Sequence, residues 1–240
     1  MSLTNALSRI DTFLSQNYPT QFAEWGDGLS EEKINDLVKD LPFVFPEELR
    51  ELYKWHNGSG DHWICVVFPF SSLEDAIKDY KIISTFPNSW KVNSFPLFSY
   101  EDDILFVDCG KNDLPVWYMY WENGSTEIFW SSITKMILTI AEAFEMGAYG
   151  SDNDYYESDK RKLLKVMWRN DPDIINSLIE QLKIVKQERL HHIPYGYESI
   201  QRFVWQDIDK LLTSDQTKVD MLQEFTSIFL DECDRIINTP

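Results

Sequence analysis

Residues 41–58 read LPFVFPEELRELYKWHNG, a helix with its start and stop written in. Pro46 suits the first helical position, where a missing N–H and a fixed φ do no harm. Glu47 and Glu48 put negative charge on the first turn, beside the positive end of the helix dipole. Leu49, Leu52 and Tyr53 recur at helical spacing, and Trp55, His56, Asn57 and Gly58 close the run with an Asn-Gly stop. Leu41, Phe43 and Phe45 lead in as an apolar segment interrupted by Pro42 and Pro46. None of these residues is an obvious nucleophile, phosphate cradle or metal cage. The stretch describes architecture, and that already points toward binding.

Upstream, apolar residues at 3, 6, 7, 10, 13 and 14 have helical periodicity, and Tyr18-Pro19 stops the run. Ser30 can cap a second helix over 30–41, with Glu31 and Glu32 in its first turn and Ile34, Leu37, Val38 and Leu41 on its apolar face. Downstream, HWICVVFPF over 62–70 is apolar, β-branched and aromatic, the pattern of one strand buried on both faces. Ser71 and Glu74 then fit a capping box into a helix over 73–80.

Residues 85–90 are loop-like and 104–108 form a second apolar strand. Gly110, Asn112, Asp113 and Pro115 make a turn cluster. Asn123-Gly124 lies between two aromatic-rich runs, 116–122 and 125–130, which is a hairpin signal because both turn positions want positive φ. Trp117, Met119 and Trp121 share one face of the first run, and Tyr118 and Tyr120 the other. Both faces need cover, or one of them is a binding surface. A helix over 131–146 follows.

The string LP…FPEEL..LY.WHNG resembles the signature of the SUKH superfamily, the domain of Smi/Knr cell-wall regulators and of many bacterial immunity proteins. In that pattern helices lead into an LP element, then a helix ending in Asn-Gly, then strands, and a late strand pair feeding a helix. The same order holds over roughly residues 20–150. The signature residues here are Leu41, Pro42, Pro46, Leu49, Leu52, Trp55, Asn57 and Gly58, and their expected role is mainly structural. The resemblance implies a protein-binding module without catalysis.

The stretch 149–159, YGSDNDYYESD, is polar and aperiodic and marks a boundary. Only helical patterns follow: 160–169, then Pro172 after a capping Asp171, then 197–212 and 219–237. The expected organisation is an α+β domain over 1–150, with a mostly antiparallel sheet covered by helices, and a helical extension over 151–240.

The chain of 240 residues carries a formal charge of −18. Residues 1–150 hold 23 acidic and 10 basic side chains, and residues 151–240 hold 17 and 12. Such a surface repels phosphate backbones, which speaks against direct nucleic-acid binding. It attracts a basic protein and speeds the encounter, although acidity also serves solubility alone. No stretch reaches the ~20 apolar residues needed to span a bilayer. The N-terminus lacks the basic and apolar regions of a secretory signal. Cys65, Cys109 and Cys233 are odd in number and widely spaced, which fits a reducing cytoplasm better than a disulfide framework.

Candidate chemistry is sparse, and no cofactor or metal is expected. His56 and His62 lie near Asp61, but zinc wants three or four ligands, and neither HExxH nor paired CxxC occurs. His56 reads instead as a helix-end residue at the negative end of the dipole. Asp152, Asp154, Glu157 and Asp159 lack the glycine of a calcium loop. No GxSxG elbow or glycine-rich phosphate loop exists.

Asp61 and the acidic triplet Glu101, Asp102 and Asp103 are the candidate contacts for a basic partner; the plain reading of the triplet is a solvated turn. Three readings follow: an immunity protein neutralising a basic toxin such as a nuclease; a regulatory or scaffold protein binding host proteins; and an enzyme of unknown class, to which no constellation points.

Overall fold

The computed structural model describes residues 1–65, 68–85, 91–100, 103–120, 125–149 and 160–174. Its first helix, α1 (Leu3–Asn17), starts where the Ser2 hydroxyl accepts from the Asn5 N–H. Its buried stripe of Leu3, Ala6, Leu7, Ile10 and Leu14 packs on the core. Pro19 does not merely stop this helix. It opens a short one, α2 (Pro19–Phe22), at a position that needs no donor.

Helix α3 (Glu31–Val38) is capped by Ser30, whose hydroxyl accepts from the Lys33 N–H. It ends short of Leu41, which folds back through a bond from its own N–H to the Val38 carbonyl. Helix α4 (Glu47–Trp55) buries Leu49, Leu52 and Tyr53, as the spacing predicts. Pro46 sits one position earlier than expected, as the extended cap residue, and its carbonyl accepts from the Arg50 N–H.

The apolar run 62–70 is not one strand. It folds back as two short strands, β1 (Trp63–Cys65) and β2 (Phe68–Pro69), paired antiparallel with a shifted register. Continuous apolarity cannot tell a straight strand from a reversing one, because an apolar run carries no signal for where the chain turns. Ser59 fastens the far end: its hydroxyl accepts from the Phe70 N–H at 2.8 Å.

Helix α5 (Leu73–Ile83) is capped by Ser72 and Asp75, one residue later than the expected Ser71 and Glu74. This shift leaves Glu74 free for another contact, described below.

The main sheet is an antiparallel meander of β3 (Ser94–Tyr100), β4 (Asp103–Asp108), β5 (Val116–Tyr120) and β6 (Ser125–Trp130), in that spatial order. Pro96 is accommodated at an irregularity in the β3–β4 pairing. Strand β2 reaches the β3 edge through a bridge between Phe70 and Phe98. The fold class is therefore α+β, as expected.

One sheet face, with Phe95, Leu105, Val107, Val116 and Tyr118, belongs to the main core under the helices. The other carries a smaller cluster of Ile104, Phe106 and Met119, with Ile83 from α5 and the partly buried Trp117. Alternation thus splits Tyr118 from Trp117 and Met119 as the sequence predicts, and Tyr118 and Met119 are both buried on their opposite faces. Trp121 lies outside the described residues.

Helix α6 (Ile133–Glu145) buries Ile133, Met136, Ile137, Ile140, Ala143 and Phe144 and has α1 against it. Phe13 stacks on Phe144 at 5.2 Å, and Arg9 makes a two-point pair with Glu145. Helix α7 (Lys160–Asn170) packs on α6 and adds Leu163 and Met167 to the same core. The boundary expected near residue 150, and every helix expected beyond residue 174, fall outside the described residues.

Candidate protein-binding edge at the WHNG turn

The end of α4 is a junction of three chain segments. Asn57 donates through its side-chain amide to Glu74 at 2.9 Å and accepts from the Leu73 N–H at 2.8 Å. It therefore satisfies one of the bare donors at the start of α5. Gly58 has φ +91°, and a Cβ there would lie 2.9 Å from the Ser72 nitrogen. The Asn-Gly pair is thus both a stop for α4 and a socket for α5.

The second segment is the loop Trp25-Gly26-Asp27-Gly28. Gly26 exchanges backbone bonds with Asn57 and Gly58, and the Leu29 N–H donates to the Tyr53 carbonyl. Gly28 presses so close that a Cβ would overlap the Lys54 carbonyl oxygen. The third segment is α1. Asp11 accepts from the Trp55 indole N–H at 2.8 Å and lies 3.3 Å from His56 Nε2. His56 Nδ1 lies 2.9 Å from the Gly26 carbonyl. Rings of Phe22, Trp25 and Trp55 meet the His56 imidazole edge-on.

Around this junction the solvent rim is acidic. Glu24, Asp27, Asp61 and Glu74 are exposed, and Asp11 is partly so. Glu24 reaches His62 at 2.9 Å, and Glu74, besides accepting from Asn57, has a long contact of 3.9 Å with Lys33. Asp61 stands in the turn between α4 and β1.

The expected contact residues therefore fare differently. Asp61 joins this rim. Glu101 and Asp102 lie outside the described residues. Asp103 opens β4, where its backbone pairs with Tyr100 and Tyr120.

Of the signature residues, Leu49 and Leu52 are core, and Leu41 packs against it from the side. Pro42 is exposed. Trp55, Asn57 and Gly58 build the junction itself. Sequence reasoning missed Asp11, Trp25, Gly26 and Gly28. The signal for the loop was present: two glycines flanking an aspartate mark a turn with close backbone approach. Asp11 carried no local signal, because its partners lie more than forty residues away.

Cys109 is an inert thiol, because burial pushes its pKa up to about 12. Among the described residues, no three His, Cys, Asp or Glu side chains are placed to hold a metal ion. No described helix is long and apolar enough to cross a membrane.

Residues 28–139 match the SMI1 / KNR4 family (SUKH-1). The matched segment runs from Gly28 into the first half of α6 and contains the whole signature stretch. Asp11 and the Trp25–Asp27 part of the loop precede it, and α7 follows it. None of the curated proteins matches the chain. The SUKH-1 match supports a protein-binding module of immunity or regulatory type, in a family whose members are generally non-catalytic.

Proposed function

We propose that this chain is a non-catalytic immunity protein that binds and neutralises a basic toxin, with nucleases as the toxin class its charge fits best. The observation that carries the reading is the acidic rim on the family's signature turn, in a chain of net charge −18. A basic nuclease must present cationic side chains to a phosphate backbone, and an acidic edge competes for those same side chains. Glu24, Asp27, Asp61 and Glu74 are the contacts within the described residues, and Glu101, Asp102 and Asp103 extend the candidate set. The chain acts in the cytoplasm on this reading, where a nuclease would find its substrate.

The test is functional. A protein captured by the tagged chain is expressed alone and together with it, and growth and nucleic-acid integrity are followed. Toxicity that disappears at equimolar co-expression supports neutralisation. A captured partner that is harmless alone rules out the immunity reading and leaves a regulatory binder.

A further inference from the structure

His56 has an oxygen opposite each ring nitrogen: the Gly26 carbonyl at Nδ1 and the Asp11 carboxylate at Nε2. A neutral imidazole donates from one nitrogen only, so it would leave a lone pair facing an oxygen at the other. We infer that His56 is a proton-operated fastener, which as imidazolium bonds both α1 and the 25–28 loop to the end of α4 and on deprotonation keeps only one of those two bonds, while the Trp55–Asp11 bond and the Gly26 backbone bonds remain.

The surroundings favour the charged form. From α1 comes Asp11, and from the loop come the Gly26 carbonyl and the Asp27 carboxylate. Phe22, Trp25 and Trp55 contribute rings without charge. The imidazole also sits at the C-terminal end of α4, where the helix dipole favours a cation. Among the described residues, no lysine or arginine pairs with Asp11.

Burial is the largest influence and opposes the charge. The bonds to Asp11 and Gly26, with the charges of Asp11 and Asp27, outweigh it, so the pKa lies above the ordinary 6.5. The sign follows from linkage: a raised folded pKa contributes stability fully present below about 6.5, and lost as pH rises through the folded value. Apolar packing of α1 persists, so the fastener tightens the junction without being its sole support.

The experiment uses the full chain. The His56 ring is titrated by NMR in wild type and in Asp11→Asn, with His56→Gln used to assign the signal. Thermal unfolding is followed from about pH 6 to about pH 9 for all three. The expected results are a wild-type pKa above 6.5 that falls in Asp11→Asn, and a melting advantage over His56→Gln of about 2–4 °C at the acid end that shrinks toward the alkaline end. A wild-type His56 pKa at or below 6.5 overturns the inference, as does a melting difference that is flat with pH. If His56→Gln fails to fold, the wild-type and Asp11→Asn titrations decide.

Discussion

Asn57 shows how one side chain joins two helices. Its carboxamide carries both a donor and an acceptor, and each is used: one on Glu74, one on the Leu73 N–H. Asn57→Ala removes a helix-start acceptor and should cost about 1–2 kcal/mol in a urea melt. Asn57→Asp keeps the acceptor but faces Glu74 with a like charge, so it should recover only part of the loss.

Gly28→Ala meets backbone rather than a flexible side chain and should cost about 2–3 kcal/mol. Tyr53 goes the other way. Its hydroxyl is fully buried with no hydrogen-bond partner among the described residues. Tyr53→Phe removes a desolvated polar group from an otherwise filled site, and thermal melts should show an unchanged or higher midpoint.

At the scale of elements, the joint between α6 and α7 is polar at its heart. Asp171 is buried, and its carboxylate accepts from the Ser131 N–H at 2.7 Å, the Ser131 hydroxyl at 3.0 Å and Lys135 Nζ at 3.0 Å. Arg169 and Asn170 add bonds to Glu142 on the same helix. Asp171→Ala strips three bonds at once. It should lower stability by about 2–3 kcal/mol, read as a shifted urea midpoint with an unchanged slope. An exposed site would give almost no change.

Elements differed in how far the sequence foretold them. Helices with a capping Ser and a 3.6-residue stripe, such as α3 and α6, were legible because cap and stripe are both local, and α4 was legible from its stripe and its Asn-Gly stop. The antiparallel pairing of β5 with β6 was legible for the same reason; Asn123 and Gly124 themselves lie outside the described residues. The run 62–70 was not, because apolar content says nothing about where a chain reverses. Asp171 was read only as a cap for the residues after Pro172. Its bonds to Ser131 and Lys135 span 40 and 36 residues of sequence, and no local pattern encodes them. The junction at the WHNG turn divides likewise: Asn57 and Gly58 announce a stop, while the histidine's partners on α1 and the loop are tertiary.

At the scale of the whole molecule, charge sets both stability and encounter. The Arg9 hydrogen bond holds the Glu145 carboxyl below its ordinary 4.5, with burial opposing. A depressed folded pKa gives stability present above the unfolded value and lost as pH falls through the folded one. Arg9→Ala should therefore lower the melting temperature near neutrality, and the gap to wild type should close as the medium is acidified. His56 acts in the opposite direction at the alkaline side. The long-range field of an acidic chain steers a cationic partner toward it, and salt screens that field within about 8–10 Å at 0.10–0.15 M.

The most direct measurement is affinity capture from the source cell with the full chain as bait, at low and at moderate salt, beside a Glu24→Gln/Asp27→Asn/Asp61→Asn variant. A single basic protein should be retained by wild type, more tightly at low salt, and weakly by the variant. Equal retention by bait and variant at both salt levels, or no specific protein at either, would contradict an acidic binding edge at the WHNG turn.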